Sequence, residues 1–597
     1  MTPSGRIFFI SISMYSMKAF GSLLLLAFIA VFSSCSIKDS KQALDELFSE
    51  YKEFILREYP ISATYDGDHR YDDKLTDYSE IAIKSRFDSL RVFLERAKDI
   101  DITEVHGEDS LSLLLFIDEM SNSLEAEQFN NHYMPITQQD GIHIEFPQII
   151  EIQPFNTVED YDRYVKRLSG FSKQVDDIIE NMRKGMKAKI VLPNYVIHQI
   201  MDQVYPFFMD DTDSLPFMKP LQNFPTSFTD KQKSRIRSKV KFALDSSIQP
   251  AYSNLHMFLL FEYMDKSRRV DGIYALPKGK ERYAYMIRKE TTMDMQPDSI
   301  YAIGMSEVNR IEAEMQNIVN ELGFKGTAEE FKKQLIKDPR NFYTDKKPMM
   351  DEYRRILSIV DSKLPMLFGR LPKSPYDLKE IETYRAASAP QAYYYSAPLD
   401  RSRPGYFYVN TYDLPSRPKH TMTALALHEA VPGHHLQIAI AQELPGLPWF
   451  RNQIGINAFV EGWALYSESL GHDMGLYQDP HQRFGALAFE MWRACRLVID
   501  AGIHTGKMTR EEGVQFMMKH TGNSELDARS EVDRYIVWPA QALSYKLGQM
   551  HILTLRKEIE KKLGKKFSLK QFHDAVLAHG PLPLHILSDQ VRKTLIH

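Results

Sequence analysis

Between positions 428 and 435 the chain carries three imidazoles and a carboxylate: His428, Glu429, His434 and His435. Two neutral imidazoles can hold Zn²⁺, and a nearby Glu can deprotonate the water that zinc binds, which together make a metal-assisted hydrolase. The usual spacing is H-E-x-x-H on one helix, where residues i and i+4 share a face. Here Pro432 stands at i+4. An unbroken helix would turn His434 about 240° from His428 and leave His435 about 20° short of it, which favours His435. An unbroken helix is disfavoured, however, because Pro432 has no N–H for the carbonyl of His428 and its ring clashes there. Gly433 accepts dihedrals that other residues resist, and a local bulge could absorb two residues and return His434 to the side of His428. Spacing alone leaves both histidines open. The turn from Thr423 to Leu427 is apolar or small, so His428 should lie at a buried helix surface.

The elements that must position these groups read mainly as helix. The clearest runs from Pro297 to Leu322, with Ile300, Gly304, Val308, Ile311, Met315, Ile318 and Leu322 in steps of three and four. Pro297 suits its first turn, Asp298 complements the N-terminal dipole and Gly323 supplies the stop. Similar patterns occur over 44–57, 110–127, 158–187, 231–264, 349–364 and most of the chain beyond Pro418. Strand signals are few. Tyr406 to Val409 is aromatic and β-branched between turn residues, and a strand there could offer its edge to an extended peptide. A second hairpin is expected from Gly272–Leu276 to Tyr283–Tyr285, turning at Pro277-Lys278-Gly279. The aromatic run Tyr393-Tyr394-Tyr395 fits either a cleft wall or core.

The 597 residues, 43% hydrophobic and 26% charged, suit a large globular protein, and the net charge of −5 gives no reason to expect nucleic acid. Two cysteines, Cys35 and Cys495, are too few for a disulfide framework. Lys18, the apolar run Ala19–Phe32 and Ser33-Ser34-Cys35 form a charged start, an h-region and a small-residue cut site, so residues 1–35 read as a signal peptide. Small residues before a cysteine resemble a bacterial lipobox, with Cys35 lipidated and 36–41 a polar tether. The resulting expectation is an exported, membrane-anchored lipoprotein of the periplasm or outer membrane. Residues 42–295 would form an N-terminal helical region and 296–597 the catalytic region.

The pattern H-E-x-x-P-G-H-x-x-Q from His428 to Gln437 resembles the signature of the bacterial DUF885 family, whose members look like zincin-type metallopeptidases. Gly405–Asn410, Val460–Ala464, Glu531–Tyr535 and Pro539–Lys546 also look like family blocks. The resemblance implies a mainly α, multi-helix zincin-like metallopeptidase with a small β-hairpin or sheet beside the cleft, and it maps the second zinc ligand onto His434. It also implies a third ligand on a following helix. Glu461, in the apolar pattern Asn457–Tyr466, is chosen, with Glu468 as the rival or as the group that orients a ligand histidine. Glu429 would be the general base. Arg534 and Tyr535 are candidates for stabilising the oxyanion, and Tyr408, Asn410, Tyr545 and Lys546 for binding substrate. The structural alternative for Arg534 is an i, i+3 pair with Glu531.

The function expected is therefore zinc-dependent hydrolysis of peptide bonds. Two other readings stand beside it: a non-enzymatic binding lipoprotein on a degenerate scaffold, and a zinc hydrolase of non-peptide amides. Substrate preference and oligomeric state are not legible in the sequence. No G-x-S-x-G elbow or Walker loop is present.

Overall fold

The computed structural model describes residues 39–382, 386, 390–399, 401 and 403–596. Cys35 and residues 36–38 of the expected tether lie outside them, and the rest of that tether, from Asp39, caps and begins the first helix. The architecture is mainly helical. The N-terminal part includes α1 (Ser40–Glu58), α2 (Glu80–Lys98), α3 (Glu108–Glu125) and α4 (Val158–Ala188), and α5 (Pro297–Glu321) and α6 (Lys346–Leu367) follow. Six of the seven apolar or small positions expected on the 297–322 stripe are buried, the terminal Leu322 is half-buried against the same core, and α5 packs on the long helix Pro480–His504. The 231–264 pattern forms a continuous helical run interrupted by wider turns at 244–248 and 259–263.

The expected hairpin at 272–285 does not form. Lys278 adopts a left-handed conformation and Gly279 starts a helix to Thr291. Its aromatic residues sit at helical rather than strand spacing: Tyr283 and Ile287 are buried together, and the Tyr283 hydroxyl donates to Asp500 at 2.6 Å. A short aromatic run supports either period, and the buried carboxylate of a distant helix selects the helical one.

A three-stranded sheet of β1 (Tyr376–Glu380), β2 (Ala392–Tyr395) and β3 (Gly405–Val409) has the order β1-β3-β2. β3 runs parallel to β1 and antiparallel to β2, with Tyr376 opposite Gly405 and Tyr395 opposite Tyr406. Phe407 and Val409 face the core, where Tyr353 of α6 meets Phe407 edge-on at 5.4 Å. The expected strand is thus present, but it is the central one. Both its edges are already paired, so it cannot take up a substrate strand; that capacity passes to an outer strand.

After the sheet come α7 (Met422–Glu429), α8 (His434–Gln442), α9 (Asn457–Asp473), α10 (Pro480–His504), α11 (Glu525–Val537), α12 (Ser544–Leu563) and α13 (Leu569–Leu577). The apolar cores do not divide at 295: one of them joins Leu44–Met120 to Met349–Val591. A second core fills the 136–263 region. Among the described residues, no helix is long and apolar enough to cross a membrane.

Candidate metal centre

Local chemistry breaks the motif helix in two. α7 ends at Glu429, and α8 begins at His434. Gly433 has ψ −128°, and a Cβ there would stand 1.9 Å from the carbonyl oxygen of His428, so only glycine fits. The indole of Trp463 on α9 donates to the carbonyl of Pro432 at 2.8 Å and pins the break. The two extra residues are therefore removed by a break between two helices rather than by the expected bulge.

Across this break the His428 and His434 rings lie 4.9 Å apart and nearly perpendicular. Glu461 on α9 faces both, with its Oε2 3.7 Å from His428 Nε2 and 3.5 Å from His434 Nε2. One ligand atom from each of the three residues falls within 4.8 Å of the others. Ligand atoms bonded tetrahedrally to zinc at about 2.0–2.1 Å lie roughly 3.3–3.5 Å apart, close to the two separations from Glu461 to the histidines. Burial of His428 disfavours its charged form, but Glu461 and Glu468 outweigh this and raise its pKa to about 9. Burial would likewise raise the pKa of Glu461, yet His434 and His428 hold it well below the carboxylate range.

Glu468, two turns beyond Glu461, takes the orienting position. Its Oε1 lies 2.8 Å from His428 Nδ1, which leaves Nε2 turned toward Glu461. Arg493 Nη2 approaches Glu468 at 3.5 Å. His435 belongs elsewhere: its Nδ1 shares a 2.9 Å hydrogen bond with the Tyr394 hydroxyl, its ring packs on Tyr376, and burial lowers its pKa to about 4. Glu429 is buried at the end of α7 and exerts its charge on the His428 ring.

The family model for bacterial proteins of unknown function designated DUF885 matches residues 60–591. The chain belongs to the DUF885 family. A crystal structure from Colwellia psychrerythraea, described as that of "the putative lipoprotein", superposes with a TM-score of 0.87 at 29% identity, covering 94% of this chain and 100% of that one. A protein from Shewanella oneidensis, described in the same two words and as "of unknown function", superposes with a TM-score of 0.75 at 19% identity, covering 92% of this chain and 99% of that one, and shares the fold. No curated protein matches.

In this DUF885 protein the third ligand candidate owes its position to two glycines. α9 crosses α12 where a Cβ on Gly462 would stand 2.6 Å from Gly548 Cα, and one on Gly548 would stand 2.0 Å from the Ala458 carbonyl oxygen. The crossing brings Tyr545 close enough for Glu461 to raise its hydroxyl pKa further than burial does alone. Gly462→Val should force the helices apart and destabilise the fold by about 1–3 kcal/mol or more, seen as a lowered Tm in thermal unfolding. An unchanged Tm would mean that the crossing tolerates side chains.

The 531–546 segment is a polar cluster with a different division of labour from the one expected. Arg534 pairs with Glu531 at 3.0 Å, as the structural alternative had it, and also donates to Gln541 at 2.6 Å. Tyr535 is fully committed: its hydroxyl donates to Glu531 at 2.6 Å and accepts from Arg496 Nε at 3.2 Å. Of the two tyrosines, it is Tyr545 whose hydroxyl feels the Glu461 carboxylate, and Arg496 lies over its ring at 4.2 Å. Pro539 follows the end of α11 and does not kink it.

Of the expected substrate-binding residues, Lys546 and Asn410 have their polar groups engaged inside the protein, and Tyr408 is half-buried in the sheet. Lys546 is 1% exposed, and its ammonium is held by Glu490 at 2.5 Å, Gln549 at 2.8 Å and Glu307 at 2.9 Å, which uses its three donors. Asn410 is buried and holds the loop before β2 through the Ala386 and Pro390 carbonyls. Tyr408 stacks on its cross-strand partner Tyr393 at 4.9 Å. Arg493 and Arg496 were not anticipated. Their signal is two arginines three apart within the otherwise apolar run Trp492–Ile499, a placement that requires buried partners.

Proposed function

We propose that this protein is a zinc-dependent hydrolase of zincin-like plan that cleaves peptide bonds. The observation that carries the reading is the meeting of His428 Nε2, His434 Nε2 and Glu461 Oε2, with Glu429 directly after the first of them. Zinc held by those three residues would polarise the substrate carbonyl and ease the deprotonation of water. Glu429 takes the proton from the attacking water and returns it to the leaving amine. Tyr545, beside Glu461, donates from its hydroxyl to the oxygen on which negative charge develops. Arg496 and Arg534 keep that end of the site electropositive, and Glu468 fixes the His428 ring.

The same proposal extends to location, with Cys35 as the lipid attachment point. Support comes from Ser33-Ser34-Cys35 behind a short apolar run and from the description of the Colwellia relative.

Purified protein is expected to contain about one zinc per chain and to hydrolyse short peptides. A chelator should abolish the hydrolysis, and added zinc should restore it. Absence of bound zinc, or hydrolysis indifferent to the chelator, would overturn the proposal.

A further inference from the structure

Ala540, between α11 and α12, adopts φ 69°, a left-handed conformation that a Cβ disfavours and that glycine takes freely. Backbone persists in such a place only where its surroundings fix it. Asp500 on α10 supplies the fixing: its two carboxylate oxygens accept from the Ala540 N–H at 3.1 and 3.2 Å, and the Tyr283 hydroxyl donates to the same carboxylate. Asp500 is 0% exposed, and among the described residues no Lys or Arg forms an ion pair with it. A carboxylate buried on those terms is a poor way to hold a fold together, so its presence points to what the held corner positions.

That corner leads directly into Gln541 and then Tyr545, in the first turn of α12. Arg534 Nη1 donates to Gln541 Oε1 at 2.6 Å, which turns the amide NH₂ toward Tyr545, and Gln541 Nε2 donates to the Tyr545 hydroxyl oxygen at 3.4 Å. The reversed amide would set its N–H groups against the guanidinium, donor against donor. A tyrosine oxygen that accepts a hydrogen bond keeps its own proton free to donate elsewhere. Tyr535 has no such freedom, because its hydroxyl already donates to Glu531. Glu461 acts on the charge of the Tyr545 hydroxyl, so the free O–H lies at the edge of the candidate centre.

Resting on the part given to Tyr545 above, we infer that Asp500 is a positioning residue. Through the Ala540 corner it keeps the Gln541 amide on the Tyr545 oxygen, and so directs the Tyr545 O–H toward the substrate oxygen that gains negative charge.

The test follows kcat and KM for a short peptide in the zinc-loaded protein. Tyr545→Phe should lower kcat about 10²–10³-fold, the usual effect of losing one such donor. Asp500→Asn should lower kcat about tenfold with KM and zinc content little changed, and should have no further effect in the Tyr545→Phe background. Adding Ala540→Gly to Asp500→Asn should restore most of the loss, because glycine adopts φ 69° without an anchor. Gln541→Met probes the same link from its other end, should Asp500→Asn fail to fold, and it too should matter only while the Tyr545 hydroxyl is present. A readout independent of hydrolysis is fluorine NMR of protein labelled with 3-fluorotyrosine. The resonance that Tyr545→Phe removes should shift in Asp500→Asn and return with Ala540→Gly. If that signal behaves so while the wild-type protein cleaves no peptide, the positioning stands and the hydrolase reading falls. Full kcat in Tyr545→Phe, an equal loss from Asp500→Asn with and without the Tyr545 hydroxyl, or a fluorine signal indifferent to Asp500 would overturn the inference.

Discussion

Glu429→Gln should reduce peptide hydrolysis by a factor of about 10²–10⁴ while leaving fold and zinc content intact. Glutamine matches glutamate in shape, so the end of α7 and the neighbouring His428 keep their places. What disappears is the ability to take a proton from water and return it to the leaving amine. Glu429 is buried in the wall that carries His428, and neutralising it removes a desolvated charge, so no loss of stability is expected. The measurement pairs kcat/KM with zinc content and Tm on the same preparation. Undiminished turnover would remove Glu429 from the mechanism, and loss of zinc alongside activity would reassign it as a ligand.

The second large effect concerns the metal itself. His428→Ala, His434→Ala and Glu461→Gln should each empty the site, because each removes one of three converging ligand atoms. His435→Ala should retain zinc, since that ring faces Tyr394 and Tyr376 in a separate buried environment. Glu468→Gln should weaken zinc about 10–100-fold without abolishing it, as expected of a group that orients a ligand through His428 Nδ1. Elemental analysis after dialysis at graded free zinc distinguishes these cases. A His435 variant that loses zinc while the His434 variant keeps it would restore the continuous-helix geometry. Glu461→Gln retaining zinc while Glu468→Gln loses it would exchange the two carboxylates.

What the sequence determined by itself is local. The stripe of α5 and the apolar pattern of α9 were readable because helical periodicity is a property of a short window. Pro432 and Gly433 announced that α7 could not run on, because proline's missing N–H and glycine's wider dihedral range act within a few residues. The grounds for the proposed chemistry are equally local: imidazoles and a carboxylate this close together in an apolar setting are a donor set that could hold a cation.

What only the tertiary structure decided is which groups meet. His434 rather than His435 faces Glu461 because Gly433 and the Trp463 indole set the angle between two helices, and Trp463 lies 31 positions beyond Pro432. Glu461 and Glu468 share one face of α9, so no periodicity separates them; the packing of α7 against α9 does. In the proposed mechanism Tyr545 takes the part expected of Tyr535, because Glu531 and Arg496 occupy the latter's hydroxyl while Glu461 acts on the charge of the former. The strand at 405–409 was readable, but its loss of free edges depended on pairing with β1 and β2. A residue's type and its neighbours in sequence limit what it can do, but its partner is chosen by the packing of segments tens or hundreds of residues apart, and that choice appears only when the chain is folded.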